Sequence, residues 1–240
     1  EPEEPPEPEP LPEDVLRDAK RRCSRLRGGL IWGMLPALAL VAAAVLQELE
    51  KLPSAWLDES LLRCAALGAG LLLTALACMP VWKQAASLLR EGKAGCELCA
   101  AVAVLTQLIC CVCGVVTGST LATPYAAAGA LLILACQWGL YLEASALRNA
   151  YHLLVLNGTV PYVASVTAAG VCRQQGTAEG FYRLCSKPDP ARRWQNYALP
   201  LVLATAAVLS GVVCFSGGNM SDFPWVLTAL TTAGAGLGTP

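Results

Sequence analysis

The sequence predicts an all-α integral membrane protein with six transmembrane helices, a cytoplasmic N-terminus and a small cytoplasmic insertion between spans four and five. Three observations carry this prediction. Six apolar stretches, at residues 29–46, 64–82, 98–117, 125–142, 197–215 and 223–238, each approach the ~20 residues with which an α-helix crosses a hydrocarbon core of ~30 Å. The 240 residues are 55% hydrophobic and only 15% charged, which leaves too little polar surface for a soluble domain of this length. The basic residues also fall almost entirely between alternate pairs of stretches.

That last pattern sets the orientation. Arg17, Lys20, Arg21, Arg22, Arg25 and Arg27 precede the first stretch, and Lys83, Arg90 and Lys93 follow the second. Arg148, Arg173, Arg183, Lys187, Arg192 and Arg193 follow the fourth, leaving only Lys51 and Arg63 on the other side. Retaining Lys and Arg in the cytoplasm is favoured over translocating them, so the N-terminus is expected inside, in a multi-pass protein of the plasma membrane. The expected divisions are a tail at 1–28, a four-span half at 29–142, a reduced insertion at 143–196 and two further spans at 197–240.

Residues 1–14 are almost only Glu and Pro, a composition that buries no apolar surface and favours extended polyproline conformations. The segment reads either as a solvated tail or as a spacer that holds a cytoplasmic protein partner. The chain opens without Met and the sixth stretch stops at Pro240, so the sequence reads as a segment of a longer protein.

Residues 80–93 form an amphipathic connection. Trp82, Leu88 and Leu89 are placed to lie on the membrane surface with Lys83, Arg90 and Lys93 at the headgroups. Gly92 is expected to end this helix before the third stretch. The 143–196 connection is expected to continue the fourth helix, then to pass through a β-like run at 160–166. His152, the only histidine, lacks a neighbouring Asp, Ser or second His, so a packed or interfacial role is expected rather than a catalytic one.

Cys64, Cys78, Cys110, Cys111, Cys113, Cys136 and Cys214 lie within apolar stretches, where Cys acts as a small hydrophobe that lets helices approach closely. Cys96 and Cys99 also have the two-residue spacing of a metal clip, with Glu97 between them, and on a helix they share a face. Packing and soft-metal binding both remain open for this pair. No ionisable residue lies near the centre of any stretch; Gln107 and Gln137 supply the buried amides, each suited to interhelical hydrogen bonds. The sixth stretch combines Thr231, Thr232 and Thr239 with Gly234, Gly236, Gly238 and Pro240. It reads either as a partly unwound helix whose freed carbonyls line a path, or as a Gly-rich packing face. No phosphate-binding loop, nucleophile elbow or zincin motif occurs, so no catalytic residue is assigned within the chain.

In order of parts, the chain resembles the membrane region of heavy-metal-transporting P-type ATPases, in which four spans precede an actuator domain and two follow it. Residues 80–92 resemble the amphipathic platform after the second span, and Gly95-Cys96-Glu97-Leu98 falls where the family has an Asn-Met-Asp run. Gly139-Leu140-Tyr141-Leu142-Glu143 resembles the exit of the fourth span, residues 197–203 the start of the fifth, and Gly236-Leu237-Gly238-Thr239-Pro240 the end of the ion-site motif. Aligned on that motif, Thr231, Thr232 and Ala233 stand where the family has Cys-Pro-Cys, and the insertion carries no Thr-Gly-Glu. The resemblance implies a divergent or inactive cation transporter. Its ion path would use Thr231 and Thr232, with Cys96, Glu97 and Cys99 at a cytoplasmic entrance. ATP and Mg would be cofactors only through a nucleotide-binding domain beyond this chain. The expected partners are the lipid bilayer, a metal cation and a cytoplasmic protein, with no nucleic acid. The alternative is a non-transporting polytopic scaffold.

Overall fold

The computed structural model describes residues 11–49, 60–93, 95–117, 125–156, 162–167, 170–175 and 190–217. These form six helices and one hairpin: α1 (Pro12–Glu48), α2 (Ser60–Ala77), α3 (Met79–Arg90), α4 (Cys96–Thr117), α5 (Tyr125–Leu156), β1 (Tyr162–Thr167), β2 (Gly170–Gln175) and α6 (Pro190–Gly217). The chain divides into two compact units, one of residues Glu1–Arg25 with Tyr141–Asp189, the other of Leu26–Leu140 with Pro190–Pro240.

The expectation of six membrane-spanning helices is overturned. Among the described residues three helices are long and apolar enough to cross a membrane, Pro12–Gln47, Cys96–Val116 and Ala126–His152, and a fourth is reached only if a bent pair counts as one span. The second predicted span, 64–82, is that pair: the chain turns by 73° between Leu61–Ala77 and Met79–Arg90. Pro80, in the first turn of α3, has no N–H to continue the ladder of α2, and its ring clashes with the preceding turn. The fifth predicted span falls in α6, of which Ala198–Leu209 qualifies only as a shorter apolar helix among the described residues, about 18 Å at 1.5 Å per residue. The sixth, 223–238, lies outside the described residues.

The second unit contains an up-down-up-down bundle of four helices. Its register can be read from the contacts between them. Along α1 and α2, Gly33 meets Ala77 and Cys78 while Gly70 meets Leu40. Gly68 of α2 meets Cys111 of α4, and Gly129 of α5 meets Gln107 of α4. Gly29 of α1 meets Gln137 of α5, which closes the ring of four. Every neighbouring pair is antiparallel. In addition, α3 and α6 pack against α4.

The buried residues of α1 explain the packing mode. Leu16, Ala19, Cys23, Leu26, Leu30, Gly33, Ala37 and Leu40 are all buried, in steps of three and four along the whole helix. A 3.5-residue repeat of this kind keeps one seam against its neighbours with left-handed, knobs-into-holes geometry. The outward side changes character abruptly. Before Gly28 it carries the exposed Arg17, Lys20, Arg21, Arg22, Arg25 and Arg27; after it come Ile31, Trp32, Met34, Leu35 and Leu38, each more than half exposed. Similar apolar exposure recurs at Leu73, Ile109, Val112, Val116 and Trp138. Exposed apolar surface on this scale fits a hydrocarbon solvent and not water.

Close approach at α1 depends on the missing side chain of Gly29. A methyl group there would lie 2.6 Å from the Ala77 carbonyl oxygen and 2.7 Å from Gln137 Nε2, whereas Gly28 faces open space. The amide of Gln137 donates to the Leu26 carbonyl at 3.2 Å, tying α5 to the same turn of α1. In the other unit, β1 and β2 form an antiparallel hairpin in which Tyr162 pairs with Gln175 and Thr167 with Gly170. The β-like run of the sequence coincides with β1. Gly170 takes a left-handed φ of +127°, which lets the strand reverse without a Cβ clash.

Because the Ala77 carbonyl belongs to backbone and cannot swing away, Gly29→Ala is expected to lower stability in detergent by about 1–3 kcal/mol through overpacking. Gly28→Ala should be neutral or slightly stabilising, since Ala exceeds Gly in helix propensity. Thermal unfolding of the two variants side by side checks both.

Candidate functional site

The bend between α2 and α3 leads directly to the one cluster of chemically reactive side chains that the sequence singled out. At the bend, Cys78 N–H donates to Thr74 and Val81 N–H donates back to the Cys78 carbonyl, at 3.0 Å each. The last carbonyls of a helix need partners from elsewhere; here the Trp82 indole N–H donates to Ala75 O at 3.1 Å and pins the bend from outside. Val81 and Ala85 then bury the inner face of α3.

A Schellman arrangement ends α3. Lys93 N–H donates to Leu88 O at 2.9 Å and Gly92 N–H to Leu89 O at 3.1 Å. Gly92 takes a left-handed φ of +66°, as the sequence anticipated. Two residues later α4 begins, with Leu98 and Cys99 N–H donating to the Gly95 carbonyl at 3.0 and 3.3 Å.

Glu97 sits in this first turn of α4 and is only 6% exposed. The unpaired N–H groups and dipole of a helix N-terminus favour a negative charge there. Its Oε2 folds over Gly95, where a methyl group would approach it to 2.6 Å and Leu88 Cδ1 to 2.8 Å. Cys96 is half-buried and its Sγ donates to Glu97 Oε2 at 3.5 Å. Cys99, one turn on, is buried. The facing helix adds a fourth member, Cys136, whose Sγ donates to the Cys96 carbonyl at 3.8 Å and which lies within electrostatic reach of Cys96, Glu97 and Cys99.

The structure therefore brings Cys96, Glu97 and Cys99 together in one turn and places Cys136 against them. Thr231 and Thr232 lie outside the described residues. Local spacing does not reveal Cys136, which is 40 residues away from Cys96 along the chain. The buried positions Ala130, Ile133, Gln137 and Leu140 of α5 do mark its inner face at helical spacing. As arranged, no group of three or more His, Cys, Asp or Glu among the described residues is placed to hold a metal ion.

No known protein family, curated protein or solved structure matches the chain. The site has to be read from its own chemistry.

Elsewhere the polar interior is sparse. Gln107 is 4% exposed with neither amide atom hydrogen-bonded, pressed on Gly129, and Gln137 Oε1 and Arg63 Nε also have no hydrogen-bond partner. Of the amides that the sequence assigns to interhelical bonding, Gln137 makes such a bond and Gln107 does not. Cys64, Cys78 and Cys111 are buried and unoxidised, Cys110 is half-buried and Cys113 is exposed, so most of these thiols do fill helix interfaces. His152 is exposed at the end of the candidate span Ala126–His152, so it is not packed in the bundle.

The burial order predicts the reactivity of the cluster. In folded protein a small maleimide should label Cys96 well before Cys99 and Cys136, and all three should react at comparable rates once the chain is denatured. Peptide mass mapping of the labelled positions checks this.

Proposed function

We propose that this chain is the membrane region of a P-type ATPase-like cation transporter, with the start of α4 as the entrance to the path. The observation that carries the reading is the run from the bent α2 through the amphipathic α3 to Glu97, Cys96, Cys99 and Cys136. It supports the platform and entrance that the sequence resemblance implies. A buried carboxylate beside a half-exposed thiol suits capture of a soft or borderline cation. The cation displaces the Cys96 proton, and Glu97, 3.5 Å away, is the base that accepts it. Thr231 and Thr232 continue the path in this reading, with the basic ends of the helices on the cytoplasmic side. Energy from ATP and Mg would come from a domain outside this chain.

The test is uptake of Zn²⁺ and Cu⁺ into everted membrane vesicles carrying the full-length protein. Cys96→Ala with Glu97→Gln is expected to reduce uptake at least about tenfold, equivalent to about 1.4 kcal/mol, and Thr231→Val with Thr232→Val to abolish it. If neither cation moves, or both double variants transport normally, the reading falls and a non-transporting scaffold takes its place. In that case, deleting residues 1–14 should release cytoplasmic partners.

A further inference from the structure

The outer face of α3 is unused by the bundle, and its chemistry names an occupant. Met79, Lys83, Ala86 and Arg90 are all exposed and recur at i, i+4, i+7 and i+11, which places them on one stripe. That stripe lies opposite Val81 and Ala85, the face buried in the bundle. Beside it runs an apolar edge of half-buried Trp82 and of Leu89, 64% exposed. Because α3 leaves α2 at 73°, a membrane-crossing α2 lays α3 close to the plane of the bilayer surface, with both faces of this stripe at headgroup level.

The charges on the stripe are not neutralised from within. Among the described residues the ion pairs are Arg17 with Asp14 at 3.6 Å and Lys93 with Glu91 at 2.7 Å. Lys83 and Arg90 take part in neither. Lys93, the third basic residue of the connection, is thus locally compensated, while Lys83 and Arg90 present two uncompensated charges about two turns apart. Arg90 also lies at the C-terminal, electronegative end of α3, which holds its guanidinium at the helix terminus.

We infer that α3 is a docking surface for anionic phospholipid headgroups, with Lys83 and Arg90 as the phosphate-binding cations and Leu89 and Trp82 as the apolar anchor. Two cations separated by two helical turns match neighbouring lipid phosphates, and an apolar edge beside them excludes a purely aqueous ligand. Each Lys or Arg near an anionic leaflet adds roughly fivefold to the association. Occupied in this way, the headgroups hold α3 in the surface plane and so maintain the bend that brings Leu88 against Gly95.

The test uses the full chain in nanodiscs of equal phosphatidylglycerol and phosphatidylcholine, with retained lipid measured by native mass spectrometry. The unmodified protein is expected to retain phosphatidylglycerol at least about 25-fold more strongly than phosphatidylcholine, two such charges acting together. Lys83→Gln with Arg90→Gln should lower that ratio by about the same factor. Lys83→Arg with Arg90→Lys should keep it, and so should Lys93→Gln, because Lys93 is already paired. Equal retention of both lipids by the unmodified protein overturns the inference and leaves the basic stripe to an acidic protein partner. A preference undiminished by Lys83→Gln with Arg90→Gln overturns it as well, assigning lipid selection to other basic residues.

Discussion

The contact of the α1 backbone at Gly29 and Gly33 with the end of α2 is the constraint from which the rest of the bundle follows. Helices in lipid gain little from hiding apolar side chains, because lipid tails are equally apolar; they associate through close packing and interhelical hydrogen bonds. With no side chain at Gly29, the Ala77 carbonyl and the Gln137 amide both come against the same turn of α1. That places the end of α2, and hence the bend at Cys78, at one level of the bundle. It also allows Gln137 to reach the Leu26 carbonyl, which fixes α5 and carries Cys136 to the start of α4.

Polar groups are correspondingly few and are concentrated at the ends of the bundle. Glu97 is buried in the first turn of its helix, where the backbone offers compensating N–H groups, and it shares that level with three thiols. Gln107 is the costly exception. A buried amide without partners forfeits on the order of 1–3 kcal/mol, yet its neighbour is Gly129, which leaves room for it and for little else. Thr74 shows the cheaper solution: its hydroxyl donates to the Gly70 carbonyl of its own helix at 2.9 Å and so needs no partner from another helix.

Apolar length in the sequence was sufficient to locate α1, α4 and α5, because each is an uninterrupted run. It failed for the second stretch, where a window that averages hydropathy passes straight over Pro80 and merges two helices at 73° into one span. It failed for the fifth, where among the described residues α6 counts only as a shorter apolar helix, Ala198–Leu209. The helix-ending role of Gly92 was legible, since a single residue type meets that backbone requirement. Cys136 was not, because nothing within ten residues of it relates it to Cys96. The packing seam of α1 was not legible either, because its exposed Ile31, Trp32, Met34, Leu35 and Leu38 are as apolar as its buried residues.

The switch on the outer side of α1, from Arg27 to Ile31 within one turn while the buried seam continues unbroken, also sets the depth of the protein. Sliding α1 inward by a single turn would pull Arg27 into hydrocarbon; sliding it outward would lift Ile31 and Trp32 into the headgroups. Both displacements cost free energy, so the helix floats at one height, like a hull at its waterline. The three helices packed in register with it must adopt that height as well. A bilayer thicker or thinner than the apolar side of α1 therefore either tilts the bundle or deforms around it, and where it deforms the lipid nearest the bundle differs in thickness from the lipid beyond it.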